Sequence, residues 1–144
     1  MSSIWKDKPQ HFAGDMIIGA LYADRPPTRG VAGWTDWLLG EVLASSLHKG
    51  YVKAAAGEKL LIAAQLPFQV NKILLLGIMA PAKNPSEHRE LAALYAESVK
   101  GLRPKRILVE IPGEDSALFL KSLAEELGYK AELFGYIPEA PCRI

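Results

Sequence analysis

Three histidines, His11, His48 and His88, are the first candidates for chemistry, and none lies at metal-ligand spacing from a second His, Cys or carboxylate cluster. His48 falls in the last turn of a helical pattern, where a partly cationic imidazole suits the helix dipole, and His88 falls in a first helical turn. Ser45-Ser46 stands beside His48, but adjacent helical positions point apart, and no Gly-x-Ser-x-Gly elbow occurs. Cys142 is the single cysteine, so no internal disulfide can form, and it has no nearby histidine partner. Glu114-Asp115 reads as a helix start, where negative charge meets unpaired N–H groups, and Glu125-Glu126 as a solvated helical face. The sequence thus assigns no catalytic residue, no metal ligand and no cofactor.

Two features remain. Thr28-Arg29-Gly30-Val31 lies between a predicted strand and a predicted helix, where a glycine lets backbone N–H groups approach an anion at the helix N-terminus. Arg25 and Arg29 can add charge-assisted bonds there. One glycine and two arginines also describe an ordinary loop, and neither Gly-x-Gly-x-x-Gly nor Gly-x-x-x-x-Gly-Lys-Ser/Thr is present. The second feature is Trp34 and Trp37, three residues apart on neighbouring parts of one helical face. Either both pack in the core, or one packs on the sheet and the other offers a contact surface.

The elements that must position these residues follow from hydrophobic pattern and breakers. Met16 to Tyr22 is a continuous apolar run of strand length, ended by Pro26-Pro27. Val31 to Lys49 reads as a long helix with Val31, Trp34, Leu38 and Val42 on its stripe, Asp36 and Glu41 off it, and Gly50 as its stop. Leu60–Gln65 and Lys72–Ile78 are predicted strands. The second holds Ile73-Leu74-Leu75-Leu76-Gly77 and is the expected central strand. Asn84-Pro85-Ser86-Glu87 opens a helix whose expected buried stripe is Leu91, Leu94, Tyr95, Val99 and Leu102. Arg106–Ile111 is a strand broken by Pro112-Gly113, and Asp115 or Ser116 caps a helix that ends at Gly128, with Leu120, Leu123, Ala124 and Leu127 facing inward. Ala131–Tyr136 is a last strand. Strands alternating with helices imply a single α/β domain over residues 1–144. Its sheet is mixed but mostly parallel, with helices on both faces, and one antiparallel pair falls at the short gap between the second and third strands. Ligands in such sheets bind beyond the carboxyl ends of the strands.

The chain has 144 residues, 17 basic and 16 acidic, and a formal net charge of +1. That balance gives no electrostatic case for nucleic acid, and Arg103-Pro104-Lys105-Arg106 reads as a solvated turn. No apolar stretch is long enough to span a bilayer, and the polar start from Met1 to Gln10 lacks a signal-peptide pattern. A cytoplasmic protein that binds neither nucleic acid nor membrane is the expectation.

The order Gly30-Val31-Ala32-Gly33-Trp34-Thr35-Asp36, Gly40, Leu43, Leu47, Gly50, Gly57-Glu58 and Ile73-Leu74-Leu75-Leu76-Gly77 resembles the N-terminal, non-catalytic domain of leucyl (cytosol) aminopeptidases. In that family a hydrophobic strand ends in Gly-Leu-Gly, where this chain has Gly77-Ile78-Met79; Val52, Ala54 and Ala55 also depart from its pattern. The resemblance runs from about Asp15 to Gly128 and implies a three-layer α/β/α, macro-domain-like fold. The family's two-zinc site belongs to a separate C-terminal domain with no counterpart in these residues. What the resemblance implies is therefore a stand-alone binding or assembly module that associates with itself or with a peptidase subunit, with Trp34 and Trp37 as its contact surface.

Macro domains also often bind ADP-ribose, and Gly14-Asp15-Met16-Ile17-Ile18 followed by Thr28-Arg29-Gly30-Val31 is similar to their layout of an Asp-led strand and a glycine-bearing loop. The alternative is accordingly a binder, or minor hydrolase, of a nucleotide or ADP-ribose derivative, a small anionic ligand held by Asp15, Arg29, Gly30, Gly77 and Gly113. Against it, Gly19-Ala20-Leu21-Tyr22 replaces an Asn-rich strand end, and the acids of Pro112-Gly113-Glu114-Asp115 repel a diphosphate.

Overall fold

Met16–Tyr22, apolar on both faces by sequence, forms most of a ten-residue strand in a computed structural model that describes residues 2–22, 30–38, 57–64 and 66–138. The elements are β1 (Ser2–Ile4), a 3-10 turn (Pro9–His11), β2 (Ala13–Tyr22), α1 (Gly30–Leu38), β3 (Lys59–Ala63), β4 (Gln69–Ile78), α2 (Pro85–Ser98), β5 (Arg106–Glu110), α3 (Ser116–Leu127) and β6 (Glu132–Tyr136). The six strands make one sheet in the order β1-β6-β5-β2-β4-β3. All neighbours are parallel except β3 and β4, the antiparallel pair expected at the short gap.

Alternation along the strands divides the apolar side chains between two layers. Met16, Ile18, Leu74, Leu76, Ile107, Val109 and Leu133 meet α2 and α3, whose Ala92, Tyr95, Val99, Phe119, Leu120 and Leu123 complete that layer. Ile17, Leu21, Ile73, Leu75 and Leu108 face the other way, under Val31 and Ala32 of α1 and beside Phe12 and Phe68. Helix α1 rides very close to the sheet: a Cβ on Gly19 would stand 2.5 Å from Cβ of Val31, so only glycine fits there.

The structure corrects several sequence expectations. β4 is second from the edge, and the centre belongs to β5 and β2. An apolar run reports burial on both faces, which a strand one place from the edge also has. β1 was not foreseen; its residues are exposed, so no hydrophobic pattern marks it, and it pairs with β6 through the backbone. In α2 the small residues Ala92 and Ala96 face the sheet with Tyr95 and Val99, Leu91 and Leu94 turn partly outward, and Leu102 is exposed beyond the helix end. In α3, Ala124 is exposed and Phe119 takes the inner place. Asp36, off the apolar stripe of α1, is buried nonetheless. The part of the predicted first helix beyond Leu38, with Gly40 and Gly50, lies outside the described residues, as do Arg25, Arg29 and Cys142.

Candidate functional site

The carboxyl ends of β2, β4 and β5 bring together Tyr22, Gly77–Ala80 and Glu110–Gly113, with the N-terminus of α1 against them. The first-turn N–H groups of a helix have no partner within the helix itself, and the start of α1 is the place the sequence offered to an anion. It is occupied from within. Glu110, the last residue of β5, turns its carboxylate into this position and accepts the Val31 N–H at 2.7 Å through Oε1. The backbone of Ala20 also hydrogen-bonds to it. Gly30 has φ +69°, and a Cβ there would collide with the Glu110 carboxylate, which explains the glycine in steric rather than ligand-binding terms.

Glu110 is 2% exposed. Burial disfavours its charged form and raises its pKa from 4.5 to about 7, against the two backbone hydrogen bonds, which pull it down. The carboxyl group is thus poised between its two forms near neutrality. The same residue anchors the opposite layer: Tyr95 of α2 donates its hydroxyl to the Glu110 carbonyl at 3.0 Å, and burial holds that phenol well above its ordinary range. Glu110 pairs in register with Tyr136 of β6, whose hydroxyl accepts the indole N–H of Trp34 at 3.1 Å.

A second junction closes the neighbouring loops. Ala82 and Gly113 form a parallel bridge, with the Ala82 N–H donated to the Pro112 carbonyl at 2.6 Å. Below it His88 is 3% exposed. Its Nδ1 lies 2.9 Å from the Asn84 carbonyl, which can only accept, and its Nε2 accepts the Asp115 N–H at 3.2 Å. These bonds assign Nδ1 as the donor and Nε2 as the acceptor, and hold the ring in place. A Cβ on Gly113 would stand 2.5 Å from that Nε2 and 2.7 Å from the Ala82 carbonyl oxygen. Beside this junction a cavity of about 330 Å³ opens between the end of β4 and α2, lined by Gly77, Met79, Pro81, Lys83, Leu91 and Leu94 among others.

Of the residues grouped by sequence that are described, Gly30, Gly77 and Gly113 share one end of the sheet and Asp15 lies at the other. Asp15 sits near the amino end of β2, about 20 Å from the Leu21–Gly77 pair at roughly 3.3 Å per residue. There its carboxylate accepts the N–H groups of Lys105 and Arg106 at 2.7 and 3.1 Å, fixing the entry to β5. Gly77 is at the expected end, but its N–H is donated to Glu58 and its carbonyl accepts from Gly57, so both groups continue the sheet ladder. Gly30 and Gly113 are there too, each pressed against another side chain. Trp34 is 7% exposed and packs in the interior, while Trp37 on the same helix is 44% exposed. Glu110 was missed altogether. Its only sequence signal is an acid directly after three apolar strand residues, Ile107-Leu108-Val109. Among the described residues, no group of three His, Cys, Asp or Glu side chains is placed to hold a metal ion. No described helix is long and apolar enough to cross a membrane.

Comparison with known proteins places this architecture. The macrodomain of Mycobacterium tuberculosis DarG superposes with a TM-score of 0.67 at 12% identity, covering 97% of this chain and 99% of that one. A mutant tomato leucine aminopeptidase gives 0.64 at 13% identity, covering 94% of this chain but 32% of the enzyme, so the chain spans about a third of that protein. The Oceanobacillus iheyensis macrodomain with ADP gives 0.54 at 16% identity, covering 90% of this chain and 78% of that one. At these identities the likeness is one of fold, and it shows a macro-domain-like α/β architecture. No curated protein matches the sequence. The profile of the cytosol aminopeptidase family, N-terminal domain, matches residues 21–134, and the chain therefore belongs to that family through its N-terminal domain.

Proposed function

We propose that this chain is a non-catalytic binding and assembly module of the cytoplasm, working through protein contacts as a counterpart of the aminopeptidase N-terminal domain. The observation that carries this reading is the Glu110 carboxylate seated at the N-terminus of α1. The helix end that could hold a phosphate already holds an internal carboxyl group, which fills the place an anion would take. Membership of the family supports the same reading, because the matched segment is the family's N-terminal domain. The contact surface includes Trp37, an exposed aromatic on the helix that Glu110 caps. Its partner is a second copy of the chain or a separately encoded peptidase subunit.

Light scattering over a concentration series, alone and with the aminopeptidase catalytic subunit of the same host, tests this. Association that weakens in Trp37→Ala is the expected result. A chain that stays monomeric and ignores the peptidase overturns it. The second reading, a binder of a nucleotide or ADP-ribose derivative, draws on the fold shared with the Oceanobacillus iheyensis macrodomain with ADP and on the cavity beside Gly77. It predicts thermal stabilisation that rises with nucleotide concentration, and the first reading predicts a flat response.

A further inference from the structure

Helix α1 is held at its start by a tertiary contact, and that contact is a titratable group. The carboxylate of Glu110 reaches the Val31 N–H from a strand 79 residues further along the chain. Gly30 and Gly19 leave no spare room around it: side chains at these positions would run into the Glu110 carboxylate and into Val31. Among the described residues, the Val31 N–H is capped by one buried side chain, that of Glu110. From these contacts we infer that Glu110 makes the seating of α1, and with it the presentation of Trp37, responsive to proton concentration.

The direction follows from linkage. In the seated state burial holds the Glu110 carboxyl protonated up to about pH 7. Any opening that admits water to it restores an ordinary carboxyl that ionises near 4.5. Between these values the open state loses its proton and the seated state keeps it, so a rise in pH favours opening. Above about pH 7 both states are ionised and the effect levels off. The shift corresponds to a roughly 300-fold increase in the opening equilibrium across that window. Of the titratable groups on the surrounding elements, Tyr95 of α2 touches the Glu110 carbonyl and Tyr136 of β6 pairs with Glu110 in register; Tyr22 ends β2 at the same end of the sheet, and α1 itself carries Asp36. The three phenols are ordinarily neutral in this range. Among the described residues no cation is paired with Glu110, and Arg25 and Arg29 lie outside them.

This inference rests on the assembly reading only in giving Trp37 a contact role, and its test uses the isolated chain, so the two fail separately. Amide hydrogen exchange is measured by NMR from about pH 4.5 to 8, with intrinsic exchange rates divided out. The expected result is that protection of the Val31 and Trp34–Trp37 amides falls by about two orders of magnitude as pH rises to 7, while amides of β4 and α3 fall less. Glu110→Gln is expected to remove the pH dependence in α1. Should that variant fail to fold, glutamate side-chain 13C labelling of the natural chain reads the titration directly, as one carboxyl with a midpoint near 7. Constant α1 protection, an equal fall throughout the core, an unchanged profile in Glu110→Gln, or no glutamate titrating near 7 would each overturn the inference.

Discussion

Helices α2 and α3 begin on caps from the residue immediately before them, whereas α1 receives its cap from across the sheet. Asn84 accepts the Glu87 N–H at 2.9 Å and Asp115 accepts the Leu118 N–H at 3.1 Å, each spanning three residues in partly exposed surroundings. Glu110 accepts the Val31 N–H from a fully buried position. A local cap forms with the helix and loses little when its charge changes, because water is at hand. A tertiary cap forms only when the sheet is assembled, and it then carries the cost of keeping a carboxyl group out of water, which raises its pKa. The contrast locates the sensitive point of the molecule at α1, on the face opposite α2 and α3.

The largest expected effect comes from deleting the tertiary cap. Glu110→Ala leaves the Val31 N–H without its acceptor and opens a void, and urea unfolding at about pH 5 should show a loss of about 4 kcal/mol. A loss near 1 kcal/mol would make the tertiary cap equivalent to the local ones and dissolve the comparison. Next in size is the pH profile. The folded state keeps a proton that the unfolded state has released, so stability should fall from about pH 4.5 to about 7 by about 3 kcal/mol through this one group. Measured unfolding free energies of the natural chain and Glu110→Gln at matched pH isolate that contribution, and parallel curves would assign the slope elsewhere. By the same linkage, the cost of Glu110→Ala should shrink as pH rises.

Gly113→Ala should cost about 2 kcal/mol, because the added methyl meets the Ala82 carbonyl oxygen and the fixed His88 ring. Denaturant titration measures it, and a neutral effect would show that the 82–113 bridge yields easily. The smallest effects belong to Asn84→Ala and Asp115→Ala, about 1 kcal/mol each by the same assay.

Most of the fold was legible because its signals are local. Apolar runs marked β2, β4 and β5, Asn84-Pro85 and Asp115 marked two helix starts, and Gly128 marked a helix end in the left-handed region at φ +71°. The order of glycines and apolar residues from Gly30 to Gly77 pointed to the family that the profile match establishes. The short gap before β4 marked the antiparallel neighbour.

The candidate site was legible only in part, because its parts meet through the sheet. Gly30 looked like a loop glycine inviting an anion, and tertiary structure shows that it makes room for a side chain 80 positions away. Asp15 seemed to belong with Gly77, and strand direction puts the two at opposite ends of the sheet. Trp34 and Trp37 looked alike, and the rotation of α1 buried one against Tyr136 and exposed the other. Composition and periodicity determine which segments become strands and helices, since those depend on neighbours along the chain. Only the packed sheet determines which acid faces which helix end, since that depends on register, strand order and the few ångströms left between Gly19, Gly30 and Val31.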